Sequence, residues 1–408
     1  MRHGAVMTLA TFIAGGLDYA FNVVAGRLLL PAEYGVFIAV TAILQVMVHL
    51  TNSIRNVVAY YTAELATQPE AVVRVGRFLR QSWQWAVRWG LVATLVMALL
   101  SPFLARLLHI STPWPLWAGS LALLLLFVRP VTDGALQGLQ QFTGLGLVQI
   151  LQALLRLFIA IGLLLWGWQA SGAIVALPLA SSGALLLALW LLRGPWRAPA
   201  DTLEKRTISW NYSLVTLLGL LIFALIVNMD ALVVKRVFSP EVAGNYGPVV
   251  TLGKMNLFIP LAMGLVLFPK VTQRQATGRD PRPILLLALA AALLPGLALT
   301  AAYALAPGLL VQTIFGDVYA APGVVLPLVG LATTLYAGLN IWLNYALSAG
   351  RYAFVYTLAA TLLIQATTMA LFHRELLQIA LAMVGAGVVG NIAGITTTVA
   401  RRRPVGYT

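Results

Sequence analysis

Arg27-Leu28-Leu29-Leu30-Pro31-Ala32-Glu33-Tyr34-Gly35 closes one apolar block and opens the next. A second segment does the same further along: Arg236-Val237-Phe238-Ser239-Pro240-Glu241-Val242-Ala243-Gly244-Asn245-Tyr246-Gly247. Each reads Arg-x-x-x-Pro, an acid, then Tyr-Gly, and each follows an acid inside the preceding apolar block, Asp18 or Asp230, at a similar distance. Proline cannot donate to a helix ladder but suits a first helical turn. Both segments therefore end one helix and start another, and their recurrence predicts a chain made of two related halves.

Working outward, the chain of 408 residues is 60% hydrophobic and only 9% charged, with a mean hydropathy of +0.89. A soluble domain carries about 25% charged residues. The fold class expected is an all-α polytopic membrane protein. A span needs about 20 mostly apolar residues. Twelve are expected, at about 5–29, 36–63, 83–107, 116–139, 143–167, 172–192, 212–236, 246–269, 284–309, 322–347, 353–372 and 376–399. The first is read as an uncleaved helix, too long for a signal-peptide core. The second echo joins Ala135-Leu136-Gln137-Gly138-Leu139-Gln140-Gln141-Phe142 to Ala346-Leu347-Ser348-Ala349-Gly350-Arg351-Tyr352-Ala353-Phe354. Both echoes are six helices apart, so the halves share one orientation. That predicts two pseudo-symmetric six-helix bundles around a central cavity, with residues 1–193 and 212–400 as lobes, 194–211 as a cytoplasmic linker and 401–408 as a basic tail.

The net charge of +14 is mostly topology information. One set of span ends carries Arg2, Arg74, Arg77, Arg80, Arg193, Arg197, Lys205, Arg206, Lys270, Arg274, Arg279, Arg282, Arg351, Arg401, Arg402 and Arg403; the other carries Arg106, Lys235, Arg236 and Arg374. The richer side is expected to be cytoplasmic, with both termini inside and the chain in the inner (cytoplasmic) membrane. No basic domain exists, so a nucleic-acid partner is not expected. The chain has no cysteine, which removes disulfides and thiol chemistry.

Five of the bases inside the expected spans stand out: Arg27, Arg55, Arg129, Arg156 and Lys254. Each costs roughly 2.5–3.5 kcal/mol if it faces lipid, so they must face a partner or a watery cavity. Arg129 sits four residues before Asp133, the spacing of an in-helix ion pair. Arg27 is near enough to a span end to snorkel. Arg55, Arg156 and Lys254 are the stronger candidates for meeting an anion. Polar residues at helical spacing extend the picture: Gln45, His49, Asn52 and Asn56 in span two, Gln149 and Gln152 with Arg156 in span five, and Thr333, Tyr336, Asn340 and Asn344 in span ten. Thr357, Thr361, Gln365 and Thr368 line span eleven. Such a face points into protein or water; interhelical hydrogen bonding is the simpler role for the isolated residues, cavity lining for the span-two stripe. Asp230 and Asp18 are candidates for holding a sodium ion or proton, or for neutralising a base. Gly390-x-x-x-Gly394 reads as a packing motif. No metal-ligand spacing and no phosphate-binding GxxxxGK[ST] loop occurs, and the short outer loops leave no catalytic site. An enzyme is not expected, and no cofactor beyond a coupling Na+ or H+.

Taken in order, the Arg27–Gly35 segment, the Asn228–Tyr246 segment, the 136–142 turn and Phe315-Gly316-Asp317-Val318-Tyr319 resemble the Wzx-type polysaccharide flippases of the multidrug/oligosaccharidyl-lipid/polysaccharide exporter superfamily. The resemblance covers essentially the whole chain. It implies a two-lobed transporter that moves a polyprenyl-diphosphate-linked oligosaccharide from the inner to the outer leaflet by alternating access, through a basic cavity. It also implies membrane lipids as surroundings, with the pathway's polymerase and glycosyltransferases as further candidate partners. The related lipid II flippases have two more helices than this chain can supply. Their sodium site uses an acid on span seven, which Asp230 matches, but span eleven here has no acid. The alternatives are a cation-coupled multidrug or small-molecule antiporter of the same superfamily and, less favoured, a membrane glycosyltransferase or polymerase.

Overall fold

The computed structural model describes residues 2–197, 210–257, 282–348 and 353–399. The described residues are helices joined by short turns: α1 (Arg2–Leu28), α2 (Pro31–Leu65), α3 (Ala71–Leu107), α4 (Trp114–Gly138), α5 (Phe142–Leu165), α6 (Gln169–Leu191), α7 (Arg193–Arg197), α8 (Trp210–Val237), α9 (Pro240–Asn245), α10 (Gly247–Met255), α11 (Arg282–Leu305), α12 (Pro307–Phe315), α13 (Val325–Ser348), α14 (Ala353–Leu371) and α15 (Leu376–Val399). Eleven of these are long and apolar enough to cross a membrane. The twelfth expected span, 246–269, is described only through α10; the rest lies outside the described residues, as do most of the 194–211 linker, the 401–408 tail and residues 349–352 of the second echo.

Three differences from the sequence reading have physical causes. Helix α3 starts at Ala71 rather than near 83. Its first turns are too basic for a span yet contain good helix formers, and Arg80 Nη1 donates to the Trp196 carbonyl at 3.1 Å while Trp83 meets the Trp196 ring edge-on. The expected span 284–309 ends at Leu305, because Pro307 cannot continue the ladder and instead opens α12. The segment after α8 breaks into two short helices, each with a proline in its first turn, Pro240 and Pro248.

The contacts divide the chain into two compact units, one holding α1–α7 together with Ser239–Gly244, the other Trp210–Phe238 and everything from Asn245 onward. In the first unit the main packing pairs are α2 with α4, α5 with α6, α3 with α4 and α1 with α5. The α2–α4 pair closes to backbone contact: a Cβ on Gly134 would lie 2.5 Å from the Arg55 carbonyl oxygen, and one on Gly138 2.6 Å from that of Ala59. In the second unit α13 is the central helix, packed on α11, α15 and α10; Gly390 and Gly394 of α15 press on Leu339 and Trp342, the packing role expected of that pair.

The opening echo has a structural counterpart in each unit. Tyr34, fully buried after the Pro31 turn, donates from its hydroxyl to the Asn22 carbonyl at 3.3 Å. Tyr246, equally buried after the Pro240 turn, donates to Asp230 Oδ2 at 3.0 Å. Each tyrosine thus reaches back to the polar stretch of the preceding helix, α1 or α8.

Candidate functional site

The first unit carries two charged clusters, each built by one helix pair. On α2 and α4, Arg129 Nη2 lies 3.3 Å from Asp133 Oδ2, with both side chains nearly buried. This is the in-helix pair that their four-residue spacing predicts. Arg55 of α2 lies in the electrostatic field of both Asp133 and Arg129, brought there by the glycine contact of Gly134 with Arg55's own backbone. One carboxylate, paired directly with Arg129 alone, therefore stands against two guanidiniums, a local charge of +1. Arg55 Nε, Arg129 Nε and Asp133 Oδ1 are all buried without a hydrogen-bond partner among the described residues. Along the same face of α2, Gln45, His49 and Asn52 are half-buried and Asn56 is exposed.

The second cluster joins α1 to α5. Arg156 Nη1 donates to Asp18 Oδ1 at 3.3 Å, and its guanidinium lies over the Phe21 ring with the central carbon 4.0 Å from the centroid. The acid missing from Arg156's own helix is supplied by α1. Gln152, one turn away on α5, donates to Ser181 Oγ on α6 at 3.2 Å, and Gln149 is half-buried. Arg27, in the last turn of α1, is exposed, as a snorkelling side chain would be.

In the second unit Lys254 Nζ donates to Asn228 Oδ1 at 2.7 Å and sits in the field of Asp230. Asp230 accepts the Tyr246 hydroxyl through Oδ2, while its Oδ1 is buried without a hydrogen-bond partner among the described residues. Around it, Tyr336 donates to Gln365 Oε1 at 3.0 Å, and Gln365 Nε2 donates to the Ile226 carbonyl at 3.0 Å. The span-ten stripe is mostly spent within the protein: Asn344 donates to Asn340 and Thr333 to its own helix.

One polar residue that sequence reasoning passed over organises this unit. The side-chain amide of Asn256 has four oxygens within 3.5 Å: the carbonyls of Gly296 and Gly330 and the hydroxyls of Thr300 and Thr334. It ties the end of α10 to α11 and α13. Its signal was a lone Asn two residues after Lys254. Among the described residues no three His, Cys, Asp or Glu side chains group as metal ligands.

Residues 1–275 match the family described as polysaccharide biosynthesis protein. A comparison with curated proteins gave no match. Among solved structures, the chain is similar to an inward-facing multidrug resistance MATE family transporter of the MOP superfamily (TM-score 0.69, 14% identity, covering 96% of this chain and 98% of that one). It is similar also to the lipid II flippase MurJ in an inward closed conformation (TM-score 0.72, 10% identity, 97% and 87%). A third is an outward-facing multidrug resistance MATE family transporter of the MOP superfamily (TM-score 0.62, 17% identity, 99% and 97%). At these identities the likeness shows the fold.

Proposed function

Because the chain belongs to the polysaccharide biosynthesis protein family, we propose that it is a flippase for polyprenyl-diphosphate-linked oligosaccharide. It would carry that cargo from the cytoplasmic to the outer leaflet of the inner membrane by alternating access, with both termini cytoplasmic. The observation that carries this reading is the imbalance of buried charge. In the clusters described above, Arg55, Arg129, Arg156 and Lys254 stand against Asp18, Asp133 and Asp230, each of these acids already beside a base, and Lys235 is a further buried base. A diphosphate meets unsaturated guanidinium donors there, with Arg as the natural partner for its oxygens. A cationic drug would find each acid of these clusters already opposed by a base, which disfavours the antiporter reading despite the shared fold. The polar stripe of α2 supplies neutral donors and acceptors for sugar hydroxyls. No chemistry need be done on the cargo, so we read the protein as a non-enzyme, with the pathway's polymerase and glycosyltransferases as its functional partners.

For coupling, we favour a proton over sodium. Near Asp230 the Lys254 ammonium stands in the carboxylate's field and donates to Asn228 Oδ1 at 2.7 Å, so one positive charge already offsets the acid. Gln365 and Thr361 on α14 bring no second carboxylate. A single acid already offset by an ammonium is a weak sodium site.

The test is export in cells carrying Arg55→Ala, Arg156→Ala or Lys254→Ala, each checked for folded protein in the membrane. Loss of surface polysaccharide with all three is expected for Arg55 and Arg156 as cargo contacts and Lys254 as part of coupling. Normal export by all three would overturn the cationic-site reading. Restored resistance to cationic dyes in an efflux-deficient host would favour the antiporter instead.

A further inference from the structure

Arg156 and Asp18 are unequal partners. The Arg156 side chain is 13% exposed and that of Asp18 is 47% exposed. Arg156 is held from one face by Phe21, which is fully buried. Asp18 is half-hydrated, and nothing described holds its carboxylate except Arg156; the neighbouring Asn22 amide donates to the Asp18 backbone carbonyl, not to the side chain. Their single contact, at 3.3 Å, is longer than the about 2.7–2.9 Å of a strong charge-assisted bond. It is also one-pronged. Arg156 Nε is buried without a hydrogen-bond partner among the described residues, although a guanidinium fork can bind two oxygens side by side. The carboxylate neutralises the arginine without saturating it.

We propose that Asp18 is a tethered competitor for the anionic cargo at Arg156. Its carboxylate occupies the guanidinium when no cargo is present and gives way to a diphosphate, whose several oxygens fill the fork. The proposal rests on the reading of the cargo as a lipid-linked diphosphate and adds how the cargo is let go. A buried, unopposed arginine would bind a diphosphate tightly on both sides of the membrane. A half-hydrated acid on the adjoining helix costs little to displace into water and stands ready to retake the arginine, so it weakens binding and speeds release. Asp18 thus acts on affinity and turnover in opposite directions, which a purely structural ion pair would not do.

The experiment is calorimetric titration of the full-length detergent-solubilised protein with inorganic pyrophosphate and with farnesyl diphosphate, in parallel with export in cells. Asp18→Asn and Asp18→Ala, both conservative at a half-exposed position, are expected to bind the two probes about tenfold more tightly, or ~1.4 kcal/mol, while exporting more slowly. Arg156→Gln is expected to bind at least tenfold more weakly on the same scale, and the Asp18→Asn/Arg156→Gln double variant no more tightly than Arg156→Gln alone. If both Asp18 variants bind as the wild type does or more weakly, while Arg156→Gln still weakens binding, the competitor role is overturned and the anionic-cargo reading stands. If Arg156→Gln and Arg55→Gln both bind the probes like the wild type, the cargo reading fails and the competitor role with it. Tightening by pyrophosphate and farnesyl diphosphate alike assigns the effect to the diphosphate; tightening by farnesyl diphosphate alone would overturn the proposal, because the prenyl chain would then carry it.

Discussion

Asp133→Asn is the sharpest perturbation of the first unit. Asp133 lies 3.3 Å from Arg129 with side chains only 13% and 10% exposed, respectively, and its field also reaches Arg55. At an effective dielectric of about 20 the attraction at that distance is gross ~5 kcal/mol, largely offset by the cost of burying both ions. Removing one partner of a buried pair nevertheless costs about 3–5 kcal/mol, because the other charge stays buried and uncompensated. Here two guanidiniums within each other's field would lose their acid, so the upper part of that range applies. We expect the apparent melting temperature in detergent to fall on the order of 5 °C or more. Neutralising both partners in Asp133→Asn/Arg129→Gln should cost much less than Asp133→Asn alone. Added pyrophosphate should restore part of the loss in Asp133→Asn. The assay is thermal melting followed by size-exclusion recovery for the wild type and both variants. An Asp133→Asn protein that melts within about a degree of the wild type, with no response to pyrophosphate, would refute the shared-carboxylate account.

Three further outcomes follow from the same structure. Gly134→Ala pushes a methyl group into the Arg55 carbonyl, so it should cost about 1–3 kcal/mol by overpacking and lower export by shifting Arg55; denaturant melts and surface polysaccharide assays read the two effects. Asn256→Leu removes the two amide protons that four oxygens of α11 and α13 draw on and should destabilise by about 1–3 kcal/mol, seen as a lowered melt, whereas Asn256→Asp should not rescue it. Export by intact cells should continue when external sodium is replaced by choline and stop when a protonophore collapses the proton gradient; the reverse pattern would overturn proton coupling.

The spans were legible because a membrane helix must be apolar over its length and must keep its backbone bonds to itself. Ends were less so, since Ala71–Ser82 is a helix without being hydrophobic, and Pro307 interrupts a run whose hydropathy continues. Of the charged clusters, the one visible in sequence was Arg129 with Asp133, four residues apart on one face. Arg156 with Asp18 was invisible, because spacing reports neighbours within a helix and says nothing of which helices pack. The placement of Arg55 was legible only in hindsight, from Gly134 and Gly138, whose missing side chains let α2 approach α4. The asparagine at 256 looked like an isolated polar residue until two other helices were seen to supply its oxygens.

The central claim is that this protein moves lipid-linked oligosaccharide across the membrane. The direct measurement is the sidedness of that lipid in spheroplasts depleted of the protein, read with a membrane-impermeant periodate label on the sugar. The account predicts that label-accessible lipid-linked oligosaccharide disappears while the inaccessible pool accumulates, and that the wild-type gene reverses both but Arg55→Ala does not. Unchanged accessibility in depleted cells would contradict it.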